Sequence, residues 1–170
     1  VAQTNLPVSF TAEQVLICTN AFARQLLPSL DVTAARGQVI VSSPIKKLAF
    51  KGCFHFDEGY YYFRNLGNRV LLGGARNKAL AEETSPDMII TDRIQLELER
   101  FLKEVVLPKQ SFTIDYRWSG IMGLGSEKSP IIREIKKNIF CAVRMSGIGV
   151  AIAPVVAETV ARKMLLKNNR

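Results

Sequence analysis

The chain has 170 residues, 48% hydrophobic and 22% charged, a balance that supports a sizeable buried core and suggests neither disorder nor a membrane protein. Its formal net charge is +8, but the basic residues are scattered from Lys46 to the tail with no nucleic-acid-binding motif among them, so nucleic acid is not the expected partner. The longest apolar runs, at 140–143 and 150–156, fall well short of the roughly 20 residues of a membrane span, and no basic-then-apolar leader opens the sequence, so no membrane span and a cytoplasmic setting are expected.

Residues 15–19 (VLICT) are a short apolar run suited to a buried strand, and 21–27 make a helical turn or two before Pro28. Strand-like segments follow at 37–42, 49–56, 59–65 and 69–74, the last two joined through Leu66-Gly67-Asn68, where Gly and Asn tolerate positive φ, as a hairpin. After a turn-rich stretch at 82–86, residues 91–106 place Ile94, Leu98, Phe101, Leu102 and Val105 at helical spacing. Thr91 or Asp92 is the expected cap, and Pro108 lies just beyond the end. A strand at 111–118 leads into an expected glycine-rich loop at 120–125. Strands at 130–133 and 138–143 are joined by a turn at Lys136-Lys137. The chain closes with a helix at 151–166, its apolar face read as Ile152, Val155, Val156, Val160 and Met164, with Pro154 placed in its first turn. This order gives an α+β fold, a mixed or antiparallel sheet with flanking helices.

Cys18, Cys53 and Cys141 are odd in number and set in apolar contexts, and His55 is the one histidine, so neither a disulfide framework nor a metal site is expected. The segment RMSGIGVA from Arg144 to Ala151 joins a strand to a helix through two glycines. Such a connection can present free backbone amides and the positive end of a helix to an anionic ligand, and it can equally be an ordinary strand-to-helix turn. It lacks the Gly-Lys-Ser/Thr of a phosphate-binding loop and the GxGxxG of a dinucleotide fold.

Taken in order, the segments VLICTNAFA (15–23), ARGQVIV (35–41), YYYFRNLGNRVLLGG (60–74), RWSGIMGLGSEKSPII (117–132) and NIFCAVRMSGIGVAIAP (138–154) resemble the second half of the D-amino-acid-oxidase and glycine-oxidase-like FAD-dependent oxidoreductases, over about residues 14–166. The resemblance implies the substrate-side part of that fold, lacking the amino-terminal Rossmann portion, which becomes the expected partner. Val1 in place of a methionine fits that expectation. Within one fragment over 1–170, residues 14–34 and 138–170 would complete the FAD-binding domain, and 35–137 would form the substrate-side antiparallel sheet.

The implied cofactor is FAD, held weakly or not at all by these residues alone. The implied chemistry is hydride transfer from an amine, amino acid or hydroxy acid to flavin N5. Ser146, Gly147, Ile148, Gly149 and Val150, with Thr19 and Asn20, would meet the cofactor. Tyr60, Tyr62, Arg64, Met122 and Arg144 are the candidate contacts to a small-molecule substrate, and no residue is assigned as catalytic acid or base. Asn20 stands where the family usually has glycine, Phe22 where tryptophan is common, and Arg144 and Ile148 where glycine and histidine often occur. Met122 stands where many relatives place an arginine, and a thioether cannot clamp a carboxylate. Two other readings remain open: a degenerate flavoprotein subunit, and a non-catalytic interaction module with a basic surface. On the oxidoreductase reading the isolated fragment is expected to be inactive.

Overall fold

The computed structural model describes residues 2–3 and 6–168. In chain order the elements are β1 (Ala2–Gln3), β2 (Ser9–Phe10), β3 (Val15–Ile17), a 3₁₀ turn (Asn20–Gln25), β4 (Thr33–Ser42), β5 (Cys53–Phe56), β6 (Tyr61–Leu66) and β7 (Arg69–Gly74). A second 3₁₀ turn (Arg76–Lys78), α1 (Asp92–Phe101), a π-turn (Leu102–Val106), β8 (Ile114–Leu124), β9 (Ile131–Lys136), β10 (Ile139–Val143) and α2 (Gly149–Asn168) complete it. The α+β class with mixed and antiparallel sheets is as expected. Two compact units form, one from Val1–Thr33 with Met122–Arg170 and one from Ala34–Ile121. Residues 122–137, expected with the substrate-side sheet, fall in the discontinuous unit.

In that discontinuous unit β10 is the central strand of a three-stranded sheet, parallel to β3 and antiparallel to β9. Its sequence IFCAV shows no alternation because both faces are covered. Cys141 and Val143 pack with Ala23, Leu27, Leu30 and Val32, while Phe140 and Ala142 pack with Val156 and Val160 of α2. The turn between β9 and β10 is Lys137-Asn138, one residue later than read from sequence, with Asn138 taking the left-handed conformation (φ 63°). Helix α2 begins two residues earlier than expected, so Pro154 falls in the second turn and the Val150 carbonyl lacks an intrahelical donor there. Among its described side chains Val156 and Val160 are buried, and Val155 is 67% exposed, because apolar residues are distributed around the helix instead of forming one stripe.

The continuous unit carries a five-stranded sheet in the order β5-β6-β7-β4-β8. The β6–β7 hairpin pairs Leu66 with Arg69, and positive φ falls on Gly67 alone (60°), the pattern of a type II′ turn. The expected strand at 49–56 is confined to Cys53–Phe56. The expected loop at 120–125 is instead strand as far as Leu124, since glycines carry no side-chain periodicity from which a strand can be read.

Helix α1 packs Ile94, Leu98 and Phe101, and the π-turn packs Leu102, onto Ile40, Val70 and Leu72. Val105, expected on the same face, is 50% exposed. The π-turn, closed by the Leu107 amide donating to the Leu102 carbonyl (2.7 Å), rotates Val105 outward and brings Leu107 into the core instead. Thr91 occupies the cap position without a side-chain capping bond, because its hydroxyl is held by Gln38. Among the described residues no helix is long and apolar enough to cross a membrane.

Candidate functional site

The glycine turn between β10 and α2 is built from three conformationally unusual residues. Arg144, Ser146 and Gly147 all have positive φ (66°, 49° and 79°), which two of them adopt despite carrying a side chain. Such a turn persists only where its surroundings fix it, and Asn20 supplies much of that support. Its Oδ1 accepts the amides of Arg144 (2.9 Å) and Met145 (3.2 Å), and the Ser146 amide donates to the Gly123 carbonyl (3.0 Å). Asn20 is itself left-handed (φ 42°), a conformation that favours glycine and that asparagine tolerates. That explains why asparagine can stand at a position read as a family glycine.

The structure therefore brings Asn20, Met122, Arg144, Ser146 and Gly147 together within one unit. A Cβ on Gly147 would lie 3.2 Å from the Met122 sulfur, so the backbone there is bare and closely approached. The Ser146 hydroxyl is buried with no hydrogen-bond partner. Thr19 is exposed, and beyond the turn Ile148 and Val150 hold apolar side chains in solvent, 55% and 99% exposed, flanking the first amides of α2. Gly149 opens that helix.

Arg144 turns away from the glycine backbone. Its Nε donates to the Ser129 carbonyl (2.8 Å), Nη1 to Asp31 (2.5 Å) and Nη2 to Glu127 (3.3 Å). Each guanidinium nitrogen has a partner, so Arg144, expected at the substrate, serves as a strut. Asp31 also accepts the Ser126 hydroxyl (2.6 Å) and amide (3.0 Å). Those donors, with Arg144, hold its carboxyl below the ordinary range. An open cleft of about 380 Å³ beside the strut is lined by Ser29, Asp31, Ser126, Glu127, Arg133 and Arg144.

In the other unit, Tyr60, Tyr62 and Arg64 alternate with buried Tyr61 and partly buried Phe63 and are exposed together. The Tyr62 ring lies across Gly73, where a Cβ would come within 2.5 Å of it; the residue as a whole is 37% exposed, but desolvation of the phenol end against the sheet pushes it up. Arg64 makes no ion pair among the described residues. Trp118 is 43% exposed on β8, and His55 is exposed on β5 at the sheet edge.

Sequence reasoning missed most of a buried polar network in this unit. Arg36 donates twice to Glu83 (2.7 and 3.1 Å), and Gln38 donates to Glu83 (3.0 Å) and to the Thr91 hydroxyl (2.7 Å). Gln38 also accepts from the Thr91 amide and the Gln95 side chain, both at 3.0 Å. The available signal was the pair Arg36 and Gln38, two residues apart and so on one face of a strand, a polar pair where a core face would need a partner.

A family model describing FAD dependent oxidoreductases matches residues 2–163. No curated protein matches the chain in sequence. Among solved structures, the chain is similar to glycine oxidase from Geobacillus kaustophilus, with 20% identity and a TM-score of 0.74 over 89% of this chain and 41% of that one. It is similar to iminodiacetate oxidase from Chelativorans sp. BNC1 (19%, 0.71, 89% and 42%) and to L-proline dehydrogenase from P. horikoshii (20%, 0.69, 87% and 41%). At such identities the likeness is one of fold. The chain spans about two-fifths of the length of each of these proteins.

Proposed function

Since this chain belongs to the family of FAD dependent oxidoreductases, we propose that it is the carboxy-terminal, substrate-side portion of such an enzyme, acting on an amine, an amino acid or a hydroxy acid. An amino-terminal Rossmann portion would hold the FAD diphosphate and adenosine, so these residues alone would bind FAD weakly or not at all. When bound, FAD would supply a hydride acceptor, flavin N5, for a substrate C–H.

The residues at the turn fit a flat, polar ring edge. Ser146 has a buried hydroxyl in want of a partner, Gly147 exposes backbone, and α2 directs its amino-terminal amides from Gly149 and Val150. Ser146, Gly147, Ile148, Gly149 and Val150 would hold the pyrimidine edge of the flavin, with Thr19 and Asn20 behind them. Fixed amides at a helix start stabilise negative charge at a ring edge without having to reorient. Asn20 keeps those amides in place through its two hydrogen bonds to the turn. The apolar side chains of Ile148 and Val150 would shield them from water. Within its own unit the exposed face of Tyr60, Tyr62 and Arg64 would offer polar groups as substrate contacts, and Met122, in the other unit, would offer only apolar surface.

The single observation that carries this reading is the unpartnered buried Ser146 hydroxyl in a strained turn at a helix start. Ser146→Ala in the full-length protein is expected to weaken FAD binding about tenfold, matching about 1.4 kcal/mol for one lost hydrogen bond, with little change in apoprotein melting temperature. Unchanged FAD affinity in that variant would count against the turn as the flavin contact. A second reading, a flavoprotein that has lost turnover, is favoured by Arg144, whose donors are committed to Asp31, Glu127 and Ser129.

A further inference from the structure

The link between β8 and β9, residues 125–130, lies outside the sheets and is exposed from Gly125 to Ser129. It is tied down at two side chains of the same discontinuous unit. The Ser126 amide and hydroxyl donate to the Asp31 carboxylate (3.0 and 2.6 Å), while the Glu127 carboxylate (3.3 Å) and the Ser129 carbonyl (2.8 Å) accept from the Arg144 guanidinium. Asp31 joins the two sets, since its Oδ2 and its carbonyl both accept from Arg144 Nη1 (2.5 and 3.3 Å). A Cβ on Gly125 would lie 2.5 Å from Arg144 Cδ and 2.6 Å from the Asp31 carbonyl oxygen, so close approach requires glycine there.

The arginine that grips this link also opens the strained turn before α2. Arg144 holds φ 66° with its amide on Asn20 Oδ1, so its guanidinium and the first backbone angle of the turn are fixed together. The Ser146 amide makes a second tie, to the carbonyl of Gly123 at the end of β8 (3.0 Å). The link is therefore a strap fastened to the turn at Arg144 and again at Ser146. Glycine, frequent in the family at position 144, has no side chain with which to make such a fastening. The two carboxylates contribute unequally: the Arg144 side chain is 7% exposed, that of Asp31 47% and that of Glu127 72%. An ion pair as exposed as that of Glu127 adds little. Asp31 Oδ2 receives both Arg144 and Ser126, which makes it the junction of strap and turn.

We propose that Asp31 is a positioning residue for the flavin: acting through Arg144 and Ser126, it holds the strap at 125–130 closed and so fixes the turn whose amides face the cofactor. The role toward flavin rests on the oxidoreductase reading above. Amides stabilise charge at a ring edge when they are already aimed at it. A turn with left-handed residues keeps its geometry only while its surroundings impose it, and Asp31 is the point through which the strap imposes it. The coupling is reciprocal: a strap whose closure favours flavin binding is itself closed more firmly by bound flavin, by the same factor.

Hydrogen exchange in the full-length protein tests this with and without FAD, read by mass spectrometry on peptides that span Ser126, Met145 and Ser146. In the flavin-free protein Asp31→Asn is expected to quicken exchange at these amides about tenfold or more while β10 is unchanged. Exchange like that of the wild type, or quickened equally across β10, overturns the proposal. FAD is expected to slow exchange of the strap in the wild-type protein and not in Asp31→Asn, and to bind that variant about tenfold more weakly. Slowing that persists in the variant, or an unchanged affinity, overturns the positioning role. Ser126→Ala, which removes one bond at the junction and keeps the ion pair, is expected to show the same changes at smaller size. Glu158→Gln, which removes the carboxylate partner of Arg162 on α2, is expected to show none. A full-length protein that takes up no FAD defeats the oxidoreductase reading, while the flavin-free exchange still decides whether Asp31 holds the strap.

Discussion

Asn20 shows how one side chain can do two jobs that a glycine would divide. Its left-handed backbone meets the geometric demand of the position, and its Oδ1 satisfies two amides of a turn that cannot satisfy them internally. Asn20→Gly keeps the first property and loses the second, whereas Asn20→Ala loses both. Urea denaturation is expected to show Asn20→Ala destabilised by about 2–3 kcal/mol and Asn20→Gly by about 1 kcal/mol less than that. Equal losses in the two variants would mean that left-handed strain plays no part. The sequence marked Asn20 as a departure from a family pattern. Its bonding to Arg144 and Met145, more than 120 positions away, could be known only once the strands were paired.

At the scale of elements, the buried network joins β4 to the segment before α1 and to the start of that helix. Burial alone would raise the Glu83 carboxyl, but hydrogen bonds from Arg36 and Gln38 outweigh it and hold it below its ordinary value of 4.5. A carboxyl depressed in the folded state adds stability above its unfolded value, and that stability is lost as pH falls through the folded value. The urea midpoint is therefore expected to drop as pH falls below about 4.5, and to drop less steeply in Glu83→Gln. At neutral pH Glu83→Ala should cost about 3–5 kcal/mol, because it leaves Arg36 buried and unpaired. A loss under 1 kcal/mol would show that water reaches Arg36.

The helix register provides a second check. Leu98→Ala should cost about 2–5 kcal/mol, while Val105→Ala should cost under 1 kcal/mol because the π-turn has already moved Val105 into solvent. Comparable losses would place Val105 back in the core. Helix α1 was legible because Ile94, Leu98, Phe101 and Leu102 recur at its period, and the β6–β7 hairpin because Gly67 marks the turn. The π-turn was not, since its five-residue bond depends on where Leu107 packs and not on a local preference. The reach of β8 was hidden for a related reason. Gly120 and Gly123 lie in a strand because of pairing partners far along the chain, against their local preference for turns.

For the whole molecule, family membership and fold rest on the complete order of elements. The positive charge of the chain is uncompensated overall by 8 units, and α2 leaves Val150, Val155, Leu165 and Leu166 in solvent. Under the proposed reading an amino-terminal portion would bring the remaining FAD contacts. Isothermal titration of the chain alone with FAD is thus expected to give no saturable binding in the low micromolar range, and a stoichiometric complex would mean that the residues described here hold the cofactor unaided.

The most direct test of the central claim is the absorbance spectrum of the purified full-length protein, recorded anaerobically before and after addition of amines, amino acids and hydroxy acids in turn. Oxidised flavin bands that bleach with an amine, an amino acid or a hydroxy acid are the expected result. Flavin bands that no substrate bleaches, or a protein that takes up no flavin on reconstitution, would contradict it.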